Sequence, residues 1–327
     1  MRCGDPLRLG FVPLVDSVAL VAAHELGFFE REGLKVALSR EVSWATVRDK
    51  MAVGALDGAH MLAPLALAST LGVGSDPIPM VAPLALNLNG PAITLSSRLG
   101  PALRRGPGAD GLAGVMARRR AEGASVLTFA VVYPYSVHAY LLRGWMAQAG
   151  IEPDRDLRLM VASPLRMAEL LEDGIIEGFC AGEPWNSAAE ASGAGRIVAW
   201  ASQLRDRTPD KVFGVTEAWA AARPDDLSKL VRALQAAAAW LAAPGRVADA
   251  ARLLSQPAYL GADTALIEPG LADLVAHHGA ANAPRSADGA WLASEMIRWG
   301  QAPPDTDAAA LASRVYRPDL YEAALAA

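Results

Sequence analysis

The sequence has almost no cysteine and little lysine. Among its 327 residues there are two cysteines, Cys3 and Cys180, far apart and without any C-x-x-C. That excludes a disulfide framework and a thiolate zinc site. Cys3 has no apolar segment ahead of it, so it does not read as a lipobox cysteine. Nor is there a surplus of positive charge: the formal net charge is −5, which argues against a general nucleic-acid binder. Mean hydropathy is +0.21, a value set by alanine, and the longest apolar runs, such as "LQAAAAWLAA", fall well short of a membrane span. The phosphate- and dinucleotide-binding glycine signatures are missing, as are the G-x-S-x-G elbow, H-E-x-x-H and EF-hand loops. His277–His278 lies in an Ala-rich stretch without carboxylates at ligand spacing and reads as a polar helix end. Only six residues precede the first strand, which leaves no room for an export leader. The location expected from this is cytoplasmic, or periplasmic if the true start lies upstream.

What is present is an ordinary foldable chain, 52% apolar and 20% charged, long enough for two cores. Strand and helix patterns alternate from the start. "LRLGFV" reads as a strand and "DSVALVAAHELGFF" as a helix with Asp16 or Ser17 as its cap. "LKVALSRE" is a strand, "SWATVRDKMAVG" a helix capped by Ser43, and "GAHMLAP" a strand ending in a Pro-bearing loop. "PMVAPLALN" and "AITLSS" flank the turn "NLNGP". After Ser96 the alternation resumes through "VLTFAVV", "SVHAYLLRGWMAQAG", "LRLMVA", "PLRMAELLEDG" and "IIEGFCAG". From "KVFGVT" onward the chain is largely helical. The reading is α/β, two lobes with mainly parallel sheets and a helical C-terminal tail. The boundaries expected are residues 1–94 plus 214–327 for lobe I and 95–213 for lobe II. A ligand is expected in a cleft between the lobes, outside the carboxyl ends of the strands.

The four lysines are Lys35, Lys50, Lys211 and Lys229. Lys211 stands out, at the mouth of the apolar strand "KVFGVT". Trp44 follows a capping serine, and its indole N–H can only donate. His138 opens a helix after "YPYS". Each also has a plain structural reading: a solvated strand entrance, a core ring and a polar first-turn residue. Together they supply donors and positive charge at element ends with no partnering base, which suits a small anion better than catalysis.

The stretches "LRLGFVPLVDSVALVAAHELGFFEREGLKV", "SWATVRDKMAVGALDGAHMLAPL", "NLNGPAITLS", "GFCAGEPWN" and "TPDKVFGVT" occur in an order that resembles the nitrate/bicarbonate-type (NrtA/CmpA-like) solute-binding proteins, from about Leu7 to about Trp219. The resemblance implies the two-lobed periplasmic-binding-protein type II fold, with Rossmann-like lobes. In nitrate-binding members the anion is held by an indole N–H, which falls on Trp44, by a histidine, which falls on His138, and by a lysine, which falls on Lys211. The family often places glutamine after the glycine of N-x-N-G. Here that position is Pro91, without side-chain amide or N–H, so the contact passes either to Asn89 or to a backbone N–H near Ala92. Trp185 of "GEPWN" is assigned a structural role. Bicarbonate-binding relatives use acidic residues with a metal ion. No carboxylate cluster is legible here, so nitrate or nitrite is the expected ligand, with no cofactor and no metal.

Three roles compete, and the missing export leader makes the first the expected one, with the second as its alternative. The first resembles the cytoplasmic nitrate sensor NasS: ligand-free protein sequesters a NasT-like ANTAR-type antitermination regulator and releases it on binding nitrate or nitrite. It implies neither direct nucleic-acid contact nor membrane insertion. The second is the substrate-binding component of an ABC-type nitrate or bicarbonate importer. The third is an enzyme on the same fold, as in menaquinone-pathway and thiamine-pyrimidine enzymes, the latter needing a cysteine-rich motif that two isolated cysteines do not supply. A non-enzyme is expected.

Overall fold

The computed structural model describes residues 5–102, 104–106, 108–278 and 282–327, with residues 101, 102, 277 and 278 described by backbone alone. Cys3 and the side chains of His277 and His278 therefore lie outside the described residues. The chain divides into two compact units, Met1–Leu88 with Pro209–Ala327, and Asn89–Thr208. These divisions fall a few residues before the positions 94/95 and 213/214 drawn from the sequence, and they place Lys211 in unit 1. Asn89, Pro91 and His138 fall in unit 2.

Ten strands are described: β1 (Leu7–Phe11), β2 (Val36–Arg40), β3 (Gly58–Leu62), β4 (Met80–Leu88), β5 (Pro91–Ser96), β6 (Thr128–Val131), β7 (Arg158–Val161), β8 (Gly178–Gly182), β9 (Gly195–Trp200) and β10 (Pro209–Thr216). Unit 1 orders its sheet β2-β1-β3-β10-β4, and unit 2 orders its own β7-β6-β8-β5-β9. In unit 1 the β1–β2 and β1–β3 pairs are parallel, whereas β10 runs antiparallel to β3 and β4. Unit 2 repeats this, with β6 parallel to β7 and β8, and β5 antiparallel to β8 and β9. The sheets are therefore mixed, not mainly parallel as the alternating pattern suggested. The antiparallel strand in each follows directly on the segment where the chain changes unit. β3, β4, β8 and β10 carry apolar residues on both faces because both faces are covered, which is why they read as continuous apolar runs.

Helices cover these sheets for local reasons visible in the chain. Ser43 Oγ accepts from the Thr46 N–H and opens the helix Trp44–Ala52, and Ser136 Oγ does the same for Val137–Gln148 through Ala139. The segment after β3 is not a loop: Ala63–Leu71 is a helix with Pro64 in its first turn, where a missing N–H costs nothing. The first long helix, Val18–Glu25, is entered through a 3-10 turn at Val15–Ser17, and Ser17 occupies its N-cap position without a side-chain cap bond. Ser17 Oγ donates to the Leu14 carbonyl instead, which leaves Asp16 free to turn inward.

The C-terminal helices belong to unit 1. Leu230 and Leu234 of Pro224–Ala242, with Ile267 and Leu271 of Thr264–His278, join Leu20 and Val21 of the first helix in one core that reaches Leu9, Phe11 and Phe213 on the sheet. Each such buried side chain contributes about 2 kcal/mol. Among the described residues no helix is long and apolar enough to cross a membrane.

Candidate functional site

In an antiparallel pair, residues directly opposite share a face. Phe213 of β10 lies opposite His60 of β3, and Lys211 opposite Leu62. His60 and Lys211 are therefore diagonal neighbours on one face of the sheet. A tight approach holds the two strands here: a Cβ on Gly58 would meet Phe213 Cζ at 2.7 Å. Asp16, in the turn that follows β1, lies over both. His60 Nε2 stands 2.7 Å from Asp16 Oδ1, and Lys211 Nζ donates to Asp16 Oδ2 at 2.8 Å.

Asp210 would face away from Lys211 in a regular strand, since neighbours alternate. The β10–β4 register instead shifts on either side of Lys211. Such irregularities re-aim side chains, and Lys211 Nζ reaches Asp210 Oδ2 at 2.6 Å. Asn87 of β4 extends the chain of bonds, its Nδ2 donating to Asp210 Oδ2 at 3.2 Å. Trp44, the first residue of its helix, packs against this group. Its ring centroid lies 5.5 Å from Lys211 Nζ, within cation–π range, and 5.3 Å from that of His60. All six residues are at most 3% exposed.

Burial works against the charged forms of Asp16 and Lys211, and their neighbours outweigh it. Asp16 lies well below the usual carboxylate range because the Lys211 ammonium and His60 adjoin it. The Lys211 ammonium is held above its usual value by Asp16 and Asp210. Two ring nitrogens of the cluster, Trp44 Nε1 and His60 Nδ1, are buried without a hydrogen-bond partner. Such atoms are costly to leave unpaired.

Of the residues named from the sequence, Trp44 and Lys211 come together. The lysine is not the lone cation expected: two carboxylates already hold it, and a partnering acidic pair that the sequence did not display is present. In unit 2, His138 is the second residue of its helix and fully buried. Asn89 takes a left-handed backbone, φ 61°, and both ends of its amide are engaged. Its Oδ1 accepts from the Thr208 N–H at 2.7 Å, and its Nδ2 donates to the Asp206 carbonyl at 3.1 Å. Pro91 begins β5 opposite Gly182. Within "GEPWN", Asn186 accepts from Thr94 Oγ1 and donates to the Ala181 carbonyl, both at 2.9 Å, and so ties its helix to the sheet. Sequence reasoning missed Asp16, His60, Asn87 and Asp210. The available signal was a polar residue embedded in apolar sequence, as in "GAHMLAP" and "FVPLVDSVAL". Among the described residues no group of three or more histidine, cysteine, aspartate or glutamate side chains is placed to hold a metal ion.

This architecture has clear relatives. The chain is 35% identical to the nitrate import ATP-binding protein NrtC of Synechocystis sp., over 96% of the chain and 49% of that protein. It is 36% identical to the bicarbonate transport ATP-binding protein CmpC of the same organism, over 97% of the chain and 49% of that protein. The chain thus spans about half the length of these curated relatives. Among solved structures it superposes on the periplasmic nitrate-binding protein NrtA from Synechocystis with a TM-score of 0.88 and 27% identity, covering 98% of this chain and 88% of that one. The fold is that of the periplasmic binding proteins, as the sequence resemblance implied. Residues 4–255 match the model of the NMT1-like family, and the chain belongs to that family.

Proposed function

We propose that this chain captures a small monovalent oxyanion, nitrate or nitrite, as the substrate-binding part of an ABC-type importer. The observation that carries the reading is the buried cluster in unit 1. There a lysine and an indole lie together, and Trp44 Nε1 has no hydrogen-bond partner. Nitrate is planar and weakly basic, so neutral N–H donors and one shared ammonium hydrogen suit its oxygens. The nitrate-binding relative of the same fold supports this ligand class, and the import proteins among the relatives support the importer role over the sensor role. The reading is of a binder, with the buried charges bonded to one another, not poised against a substrate bond.

Calorimetric titration with nitrate, nitrite and bicarbonate tests it. Saturable heat with nitrate or nitrite is the expected result, and heat with neither would sink the reading. A response to bicarbonate alone would move the ligand to that of the CmpC relatives. Co-purification of a NasT-like regulator with ligand-free protein, lost on adding nitrate, would favour the sensor role instead.

A further inference from the structure

Unit 2 holds a cavity of about 350 Å³ that none of the site residues named above lines. Its volume is within the range of small-molecule sites. The helix Asp110–Ala121 is followed by Gly123, whose φ of 69° turns the chain back. The Ala124 N–H then donates to the Arg119 carbonyl at 2.9 Å, and Arg119 Nη2 donates to the Ser125 carbonyl at 3.0 Å. These bonds hold residues 124 and 125 beside the last turns of the helix, and β6 follows at Thr128. The short helix Pro153–Asp156, just ahead of β7, supplies Arg155 and Asp156 to the lining. The cavity therefore lies at the amino ends of β6 and β7, which run parallel. His138 follows the carboxyl end of β6, the end at which ligands of such sheets sit. The two places are at opposite ends of the strand.

Three arginines and one carboxylate line this space. Two of the arginines are committed. Asp156 accepts from Arg120 Nη2 at 3.1 Å and from Arg155 Nε at 2.9 Å, and Arg155 also pairs with Glu152 at 2.7 Å. Arg119 is different. Among the described residues its guanidinium bonds only the Ser125 carbonyl, no carboxylate pairs with it, and its Nε is buried without a hydrogen-bond partner. A planar guanidinium with unused N–H groups takes a carboxylate through two parallel hydrogen bonds. The rest of the lining is apolar: Met116 and Leu127 are buried, and Val126 is 56% exposed. One uncommitted cation matches a single negative charge, and the apolar lining matches an uncharged body. We propose that this cavity binds a small organic monocarboxylate, its head on Arg119 and its body against Met116, Val126 and Leu127. Binding here needs nothing from the unit 1 cluster and does not rest on the nitrate reading.

Calorimetric titration of the full chain with benzoate and hexanoate tests this, beside benzamide and phenyl phosphate. Saturable binding of at least one of the two carboxylates is expected. Benzamide, which keeps the ring and lacks the charge, is expected to bind at least about tenfold more weakly than benzoate. Arg119→Gln is expected to weaken carboxylate binding about tenfold or more. Val126→Glu puts a negative charge on the lining with Arg119 intact, at a position open enough to accept it, and is expected to weaken binding in the same direction. It serves if Arg119→Gln does not fold, which melting temperature checks. No binding of either carboxylate, or binding that Arg119→Gln or Val126→Glu leaves unchanged in a folded protein, would overturn the proposal. Benzamide binding as tightly as benzoate would overturn it too, as would phenyl phosphate binding more tightly than benzoate.

Discussion

The two units place the same strand plan under different chemistry. Their sheets correspond strand for strand, β2-β1-β3-β10-β4 with β7-β6-β8-β5-β9. Their registers correspond as well. His60 lies opposite Phe213 in unit 1 where Cys180 lies opposite Ile93 in unit 2, and Lys211 lies opposite Leu62 where Pro91 lies opposite Gly182. Each third strand begins with a glycine crowded by a phenylalanine, Gly58 by Phe213 and Gly178 by Phe129. At matched positions unit 1 has a buried imidazole and ammonium, and unit 2 has a thiol and a proline. Ion pairs in unit 2 lie at the surface, as between Arg143 and Asp154, while buried amides such as Asn186 brace its backbone. Unit 2 buries Glu183, which accepts from the Ser187 N–H at 3.1 Å, and His138, but buried charge is expensive, and the lysine with its two carboxylates is found in unit 1. Its concentration in unit 1 therefore points to binding rather than to stability.

The sharpest way to break the comparison is at its most different position. Lys211→Met leaves Asp16 and Asp210 buried and facing each other, and is expected to cost about 3–5 kcal/mol in chemical denaturation. The same logic makes truncation of Lys211 a poor test of binding, since lost fold and lost ligand coincide. In unit 2, Asn186→Ala removes two buried hydrogen bonds and is expected to cost about 1–3 kcal/mol. Nitrate affinity, measured by titration, should not change. An affinity loss there would end the division of labour between the units.

Melting temperature against pH sharpens the contrast further. Asp16 is depressed in the folded state, so its contribution is present above the unfolded carboxyl value of about 3.9 and is lost as pH falls below it. Lys211 is raised, so its contribution is present below about 10.4 and is lost as pH climbs past that value. Stability is expected to fall at both limits in the wild type. In Lys211→Met the alkaline loss should shrink to the part that Tyr259, Tyr316 and Tyr321 carry, since burial raises all three, and the acid loss should shrink as protonation relieves the unpaired carboxylates.

Much of this was legible in the chain. The strand order along the sequence, the Ser43 and Ser136 caps and the family resemblance all follow from local pattern. Trp44 and Lys211 were found by position at element ends. The charge partners were not, for identifiable reasons. Asp16 resembles a helix cap, and only its bonds to His60 and Lys211 show that it turns inward. Asp210 should point away from Lys211 by strand alternation, and only an irregular register aims it back. His60 is a single polar residue in an apolar strand, and its partner lies 44 positions away. Pro64 read as a loop because proline more often ends an element than begins one. Asn89 looked like a spare amide until its two bonds to the returning chain were seen.

The central claim is that the unit 1 cluster is where the anion bonds, and Trp44→Phe tests it most directly. The substitution keeps an aromatic ring against Lys211 and His60, and removes the indole N–H together with part of the fully buried bicycle. Titrated with nitrate and nitrite beside the wild type, well below the melting temperature that the smaller ring lowers, it is expected to bind about tenfold more weakly, the loss of one hydrogen bond. Equal affinity in the two proteins would contradict the account.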